Sequence, residues 1–135
     1  YWMNRQIIDN YPLDLISPVD WTDESQDLNE RVRSYLDVNC GHCHSPTGNA
    51  NSTGLYLHLN ETRDVNLGVY KKPVATGRGS GGLKYSIVPG KPEESILLHR
   101  MISMDPGVMM PESGRALTHE EAVEMVREWI MFMEK

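Results

Sequence analysis

The residues best suited to chemistry are two cysteines and a histidine in the string Cys40-Gly41-His42-Cys43-His44. The order Cys-x-x-Cys-His is the attachment signature of a c-type haem. Each thiol at this spacing can form a thioether with one vinyl group of the porphyrin, and the next residue then lies beneath the ring. His44 can offer Nε2 to the iron if an acceptor, usually a backbone carbonyl, holds its other ring nitrogen. We expect that acceptor in the turn at 45–48.

Three other uses of the two cysteines remain as alternatives. A redox pair of the thioredoxin type requires a βαβ setting, which the sequence does not show. A zinc site would use Cys40, Cys43 and two of the five histidines, but the chain lacks a second pair of closely spaced ligands. A disulfide would leave His44 without a role. The haem interpretation is therefore favoured.

A second iron ligand is expected in the loop of residues 103–117. Met110 precedes Pro111, and a residue before proline is steered out of helical geometry into an extended conformation. Its thioether is a soft ligand, and His/Met ligation raises the haem potential relative to two imidazoles. The chain has eight methionines, so the choice stays open. The alternatives to Met110 are Met109, His58, His99 and an open sixth position.

Three helices are predicted to position these residues. The first spans about 25–38 and leads directly into Cys40. The second begins at Pro92, with Glu93 and Glu94 complementing the helix dipole, and the last follows a capping box at 118–121. The apolar faces expected for the three helices are Leu28, Val32, Tyr35 and Leu36; Leu97, Leu98, Met101 and Ile102; and Ala122, Val126, Trp129, Ile130 and Met133. His99 and Met131 are expected to point away from these faces.

The segments between the helices are predicted to be irregular. Residues 1–24 form a linker or strap, in which Tyr11-Pro12 and Ser17-Pro18 break any helix. Trp2 and Trp21 either tack the strap to the domain or are exposed to solvent. The alternating residues 55–60 predict a short extended segment. Residues 77–82 contain Gly-x-Gly-x-x-Gly, but an extended stretch follows where a nucleotide site needs a helix. We therefore interpret them as a loop that folds over the haem edge.

Composition excludes several classes of protein. The formal charge is −6, which argues against binding a phosphate backbone, and no apolar run approaches the length of a membrane helix. Only 39% of the residues are hydrophobic and there is one Phe, so the core is thin and a haem would supply apolar bulk. The chain begins at Tyr1 without a start Met or a signal peptide, as expected for a processed product or an excised piece.

Residues 31–135 resemble class I c-type cytochromes, especially the small cytochrome domains appended to larger exported bacterial proteins. The matching strings are Val38-Asn39-Cys40-Gly41-His42-Cys43-His44, Val88-Pro89-Gly90-Lys91-Pro92, Met110-Pro111 with Gly114-Arg115, and Trp129-Ile130. The resemblance implies an all-α cytochrome c-like fold over residues 25–135 around one covalent haem c. His44 and Met110 would be the axial ligands of a one-electron carrier that is not an enzyme. It also implies maturation outside the cytoplasm, in the bacterial periplasm or at the cell surface.

The resemblance fails over a long insertion between residues 58 and 89, so the contacts of the haem propionates are open. Arg78, Tyr85 and Arg115 are the candidates, because fixed donors are needed at a buried haem edge. The expected partner is a redox protein or a fused oxidoreductase module, whose docking surface would be basic because this chain is acidic. The alternative function is haem catalysis or gas sensing with an open or labile sixth position.

Overall fold

The computed structural model describes residues 1–10 and 15–134, and its regular structure is helical. The helices are α1 (Leu28–Leu36), α2 (Asp64–Leu67), α3 (Ile96–Ile102) and α4 (Glu120–Phe132). Short 3₁₀ turns occupy Asn51–Thr53, Gly77–Ser80 and Pro92–Glu94. Over the described residues, β structure is limited to the isolated bridges Val69–Ile87 and Tyr85–Ser95. The all-α class is confirmed at this level. In the same two ranges, no helix is long and apolar enough to cross a bilayer.

Helix α1 begins later than the predicted residue 25, because Asp27 caps it. The Asp27 carboxylate accepts hydrogen bonds from the backbone N–H groups of Asn29 (2.9 Å) and Glu30 (3.2 Å). The helix continues without a break into a π-helical turn over Asp37–Gly41, which carries the first cysteine of the motif. The predicted apolar face is confirmed for Val32, Tyr35 and Leu36, which are buried.

Helix α4 packs across α1 with the face predicted from its sequence. Ala122, Val126, Trp129 and Ile130 are buried, Met133 is partly buried, and Met131 is half exposed. The two helices are also joined by a hydrogen bond from the Trp129 indole to Asn29 Oδ1 at 3.0 Å.

The predicted capping box at the start of α4 is wrong. The residue that precedes the helix is His119, and it makes no side-chain cap. The hydroxyl of Thr118 lies instead against the end of α3, 3.4 Å from the Ile102 carbonyl oxygen. Thr118 therefore lies one residue before the capping position.

Helix α3 begins one short turn after Pro92, and this changes its buried face. Leu97, Leu98 and Met101 are buried as predicted, but Ile96 is buried as well and Ile102 is 40% exposed. His99 is partly buried rather than solvated. Its imidazole lies so close to Gly81 that a Cβ there would come within 2.5 Å of Nε2. The glycine-rich loop is therefore seated on α3.

Part of the N-terminal segment lies on the domain. The Trp21 ring packs edge-on against Tyr35, with 5.6 Å between centroids, and the Val19 N–H donates to Ser34 Oγ at 3.0 Å. Trp2 is 59% exposed and does not tack the segment down. The predicted break at Tyr11-Pro12 lies outside the described residues.

Residues 55–60 form no strand, although Leu57 is buried. Their backbone is held by other loops, since Tyr56 N–H donates to the Asn66 carbonyl (2.7 Å) and Leu57 N–H to the His44 carbonyl (2.8 Å). A neighbouring anchor is Arg33, whose Nη2 lies within 3.0 Å of the carbonyl oxygens of His58, Leu59 and Glu61. The segment after the cysteine motif is therefore fixed by hydrogen bonds rather than by sheet pairing.

Candidate functional site

The Cys-x-x-Cys-His motif forms a compact turn at the end of the α1 extension. The carbonyl of Cys40 accepts hydrogen bonds from the backbone N–H groups of Cys43 (3.1 Å) and His44 (2.8 Å). The Cys43 carbonyl in turn accepts one from Ala50 N–H (3.0 Å). A Cβ at Gly48 would come within 2.2 Å of the Cys43 carbonyl oxygen, so only glycine permits this close approach.

The motif lines a cavity of about 890 Å³. That volume lies within the range of about 300–1,000 Å³ typical of small-molecule and cofactor sites. Cys40, Cys43 and His44 all line it, and Met110 lines it too. Apolar side chains from three parts of the chain complete much of the wall: Leu55, Leu57, Ile96, Leu97 and Val123. The tertiary structure therefore brings the predicted attachment residues and the predicted sixth ligand into one mostly apolar chamber.

The surroundings of His44 favour its neutral imidazole form. Burial lowers its pKa, while the backbone of Leu55 acts in the opposite direction and only partly offsets this. Its Nδ1 is buried without a hydrogen bond of normal geometry, so the turn at 45–48 does not supply the expected acceptor. Neutral imidazole is the form that coordinates a metal.

The two cysteines give no support to a disulfide or to a redox-active pair. Both are free thiols rather than a disulfide. Burial, and secondly the proximity of Cys43, raise the pKa of Cys40 to about 12, whereas a redox-active cysteine needs a stabilised thiolate. Within residues 1–10 and 15–134, His, Cys, Asp and Glu side chains form no group of three or more suited to a metal ion.

Met110 is fixed through its backbone on both sides. Its N–H donates to the Arg100 carbonyl at 2.9 Å, and its own carbonyl accepts from Arg115 Nη1 at 2.5 Å. The peptide bond to Pro111 is cis. Of the other candidate ligands, Met109, His58 and His99 do not line the cavity. Three further side chains with ligand atoms do line it: Met101, His42 and His119.

The three predicted propionate contacts lie in different places. Arg115 lines the cavity, and its Nε is buried without a hydrogen-bond partner. Arg78 is 71% exposed and pairs with Asp105, while Tyr85 stacks edge-on against Tyr70; neither lines the cavity. The roles of Arg78 and Tyr85 therefore stay predictions without support from this geometry.

Sequence reasoning missed Arg100, which lines the cavity from α3. Its Nε donates to the Val108 carbonyl at 2.8 Å, and burial lowers its pKa. The signal was present, because Arg100 follows the buried Ile96 by four positions and Leu97 by three, the spacing that shares a helix face. A charged residue on a partly buried stripe needs a partner for its charge.

Comparisons of the chain with protein-family models, with curated proteins and with solved structures give no match. The functional conclusion therefore depends on the cysteine motif and on the residues that the fold places around it.

Proposed function

We propose that this protein is a class I c-type cytochrome that carries one electron at a time. Its single haem would be bound covalently through Cys40 and Cys43, with His44 and Met110 as axial ligands. The observation that carries the proposal is that Met110, far from the cysteine motif in the sequence, lines the same cavity of about 890 Å³ as Cys40, Cys43 and His44. When bound, the haem supplies an iron that accepts and releases one electron.

The residues around the cavity fit such a group in shape and in charge. The apolar wall suits a porphyrin, and the neutral imidazole of His44 suits its iron. Two guanidinium groups, Arg100 and Arg115, line the same cavity and provide charged donors for two carboxylates. The unpartnered Nε of Arg115 is the donor that such a carboxylate would satisfy.

The chain's own part in the activity is to hold the site rigid and dry. The two backbone hydrogen bonds of Met110 restrain the segment that carries the thioether, so its position need not change between oxidation states. Around a bound haem, the buried leucines and isoleucine of the wall would limit the access of water, and a thioether ligand favours the reduced state. A restrained ligand and a site shielded from water suit outer-sphere electron transfer more than catalysis on a bound substrate.

The proposed setting is the bacterial periplasm or the cell surface, where a covalent haem is matured. The proposed partner is a redox protein or a fused oxidoreductase module with a basic docking surface. Encounters between electron-transfer proteins bury little area and are brief, so charge steers them strongly. We therefore expect the rate of electron exchange with that partner to fall as ionic strength rises.

The deciding experiment is an absorption spectrum of the protein purified from an exporting, haem-maturing host. We expect sharp c-type bands in the reduced form and a weak far-red methionine–iron band in the oxidised form. The Cys40→Ser/Cys43→Ser variant and a host without the maturation machinery are the matched controls, and both should yield no covalent haem. Folded protein without haem from the maturing host would overturn the proposal.

The same spectrum separates the proposal from the alternative function. A covalent haem that lacks the far-red band and binds carbon monoxide when reduced would have an open or labile sixth position. That result would favour haem catalysis or gas sensing, with the cavity residue His119 available as an acid–base group.

A further inference from the structure

A second concave surface lies between residue 21 and helix α4, well separated in the sequence from the cysteine motif. It is an open groove of about 940 Å³, and we name it the acidic groove. Its principal lining residues are Trp21, Glu24, Glu121, Glu124, Glu128 and Phe132. We infer that the acidic groove is the docking surface for a basic redox partner and that three aromatic rings connect it to the haem cavity. This inference rests on the proposed function.

The charge of the groove favours a cationic partner. Four glutamates line it against two arginines, so the lining side chains carry a surplus of two negative charges. Arg31 donates from Nε to the Trp21 carbonyl at 2.8 Å, and Arg127 pairs with Glu93 and Glu124. The carboxylates of Glu121 and Glu124 are mostly exposed to solvent. The groove therefore presents a surplus of negative charge at the surface, the arrangement that raises association rates with a basic surface.

The groove also has the apolar component that a specific contact needs. Met131 is 50% exposed and Phe132 is 71% exposed, and both line the groove beside the indole of Trp21. Aromatic side chains and methionine are enriched in the cores of protein interfaces, where a polar rim surrounds them. A small apolar patch beside the exposed glutamates of the groove matches that anatomy.

Three rings run from the acidic groove to the cavity. The Trp21 ring lies edge-on to His119, with 5.0 Å between centroids, and edge-on to Tyr35 at 5.6 Å. Tyr35 and His119 are joined by a hydrogen bond of 3.2 Å between Oη and Nδ1, and both line the cavity. One electron would pass from the reduced partner to the oxidised carrier along these contacts. No bond forms or breaks in this step, and no proton leaves the hydrogen-bonded pair of Tyr35 and His119.

A second copy of this chain is a poorer occupant than a basic partner. Two identical grooves would bring eight carboxylates together on chains that each carry a formal charge of −6. Like charges at an interface oppose association. We therefore assign the groove to a partner with clustered Lys and Arg, and self-association is one of the outcomes that the test distinguishes.

The first test uses the haem-loaded protein and hexaammineruthenium(II), a cationic reductant, in stopped flow at low ionic strength. The variant Glu121→Gln/Glu124→Gln/Glu128→Gln should be reduced about fivefold more slowly than the parent protein. The matched control is Asp9→Asn/Asp64→Asn/Glu94→Gln, which removes the same charge from exposed sites off the groove and should change the rate less than about twofold. Equal effects of the two variants would show that only net charge matters and would overturn the assignment.

The second test locates the binding surface and the path. A lysine homopolymer titrated into the labelled protein should shift the NMR signals of the Trp21 indole and of the α4 glutamates. Shifts confined to other surfaces, or dimer formation in sedimentation, would overturn the inference. Trp21→Leu should slow reduction by hexaammineruthenium(II) several-fold, and Trp21→Phe should retain most of the rate. Equal rates for the parent protein and both variants would exclude the path. The visible spectrum of each variant reports separately on whether the protein holds haem, so a failure of the proposed function is recognised independently.

Discussion

Arg115 donates a hydrogen bond from Nη1 to the carbonyl oxygen of Met110, with 2.5 Å between the two atoms. The same guanidinium also bonds the carbonyl of Ser103 through Nη2, and Met110 N–H reaches the Arg100 carbonyl. One side chain therefore ties the methionine segment to the end of α3. The proposed sixth ligand is held by its backbone, which leaves the thioether free to coordinate.

Replacing Arg115 should loosen the Met110 segment. Hydrogen bonds to a charged group contribute about 1.5–3 kcal/mol each, so Arg115→Gln should lower Tm by several degrees. At high pH, the far-red band is expected to disappear when another ligand displaces the Met110 thioether. In Arg115→Gln this loss should occur at a lower pH, because a less restrained thioether is displaced more easily. Arg115→Lys cannot reproduce the forked geometry of the guanidinium. It should therefore restore only part of the lost Tm and reverse only part of the shift in the pH transition.

The control for Arg115 is Arg78→Gln, which removes an exposed ion pair with Asp105 worth no more than about 1 kcal/mol. Thermal melts followed by circular dichroism and a pH titration at the far-red band measure the two effects. An unchanged pH transition in Arg115→Gln would show that the arginine stabilises the loop without positioning the ligand.

Met110→Ala should abolish the far-red band and lower the reduction potential, since axial ligands set potentials over a range of about 0.8 V. The reduced variant should also bind carbon monoxide, because the sixth position becomes open. Met109→Ala is the matched control and should keep the band and the potential, since Met109 does not line the cavity. Spectroelectrochemistry measures both quantities. Loss of the band in Met109→Ala instead would reassign the ligand.

Gly48→Ala should sharply reduce the yield of haem-loaded protein. The added Cβ would overlap the carbonyl oxygen of Cys43, which is backbone and cannot move without disturbing the motif. Gly82→Ala is the control, because nothing lies within 4 Å of its Cβ and only its positive φ is unfavourable, at about 1–2 kcal/mol. Haem content per protein, measured by absorbance after purification, should fall far more for Gly48→Ala. Similar yields would show that the motif tolerates rearrangement.

Acidification should destabilise the protein through Glu61. Its side chain is nearly buried and accepts hydrogen bonds from Arg63 and Asn66, and these hold its pKa far below the ordinary value of 4.5. Because the folded pKa is the lower one, the stabilisation is complete above about pH 4.5 and is lost progressively as the pH falls below it.

The Glu61→Gln variant should show a weaker loss of stability between pH 4.5 and the acid transition than the parent protein does. Asp9→Asn, which removes an exposed carboxylate, should follow the parent curve. Urea unfolding at a series of pH values gives the free energy of unfolding against pH for each protein. A parent curve that is flat below pH 4.5 would contradict the role of Glu61.

Much of the helical framework could be predicted because it depends on local periodicity. The apolar stripe of α4 matches the buried residues Val126 and Ile130, since a spacing of three to four places side chains on one face. The buried face of α3 was predicted less well. The sequence pattern placed Ile102 in the core, but a 3₁₀ turn before the helix brings Ile96 into the core instead. The capping box failed because α4 begins at Glu120, which places His119 rather than Thr118 at the capping position.

The sequence by itself determined the candidate attachment unit, because two thiols and an imidazole within five residues form a unit whose reactivity is local. It also singled out Met110, through the restriction that the following proline imposes. Only the tertiary structure decided that Arg100 and Arg115 share the cavity, and that Trp21, Tyr35 and His119 meet across 98 positions of sequence. Periodicity indicates which face of a helix is buried, whereas the partner of that face depends on how the loops close.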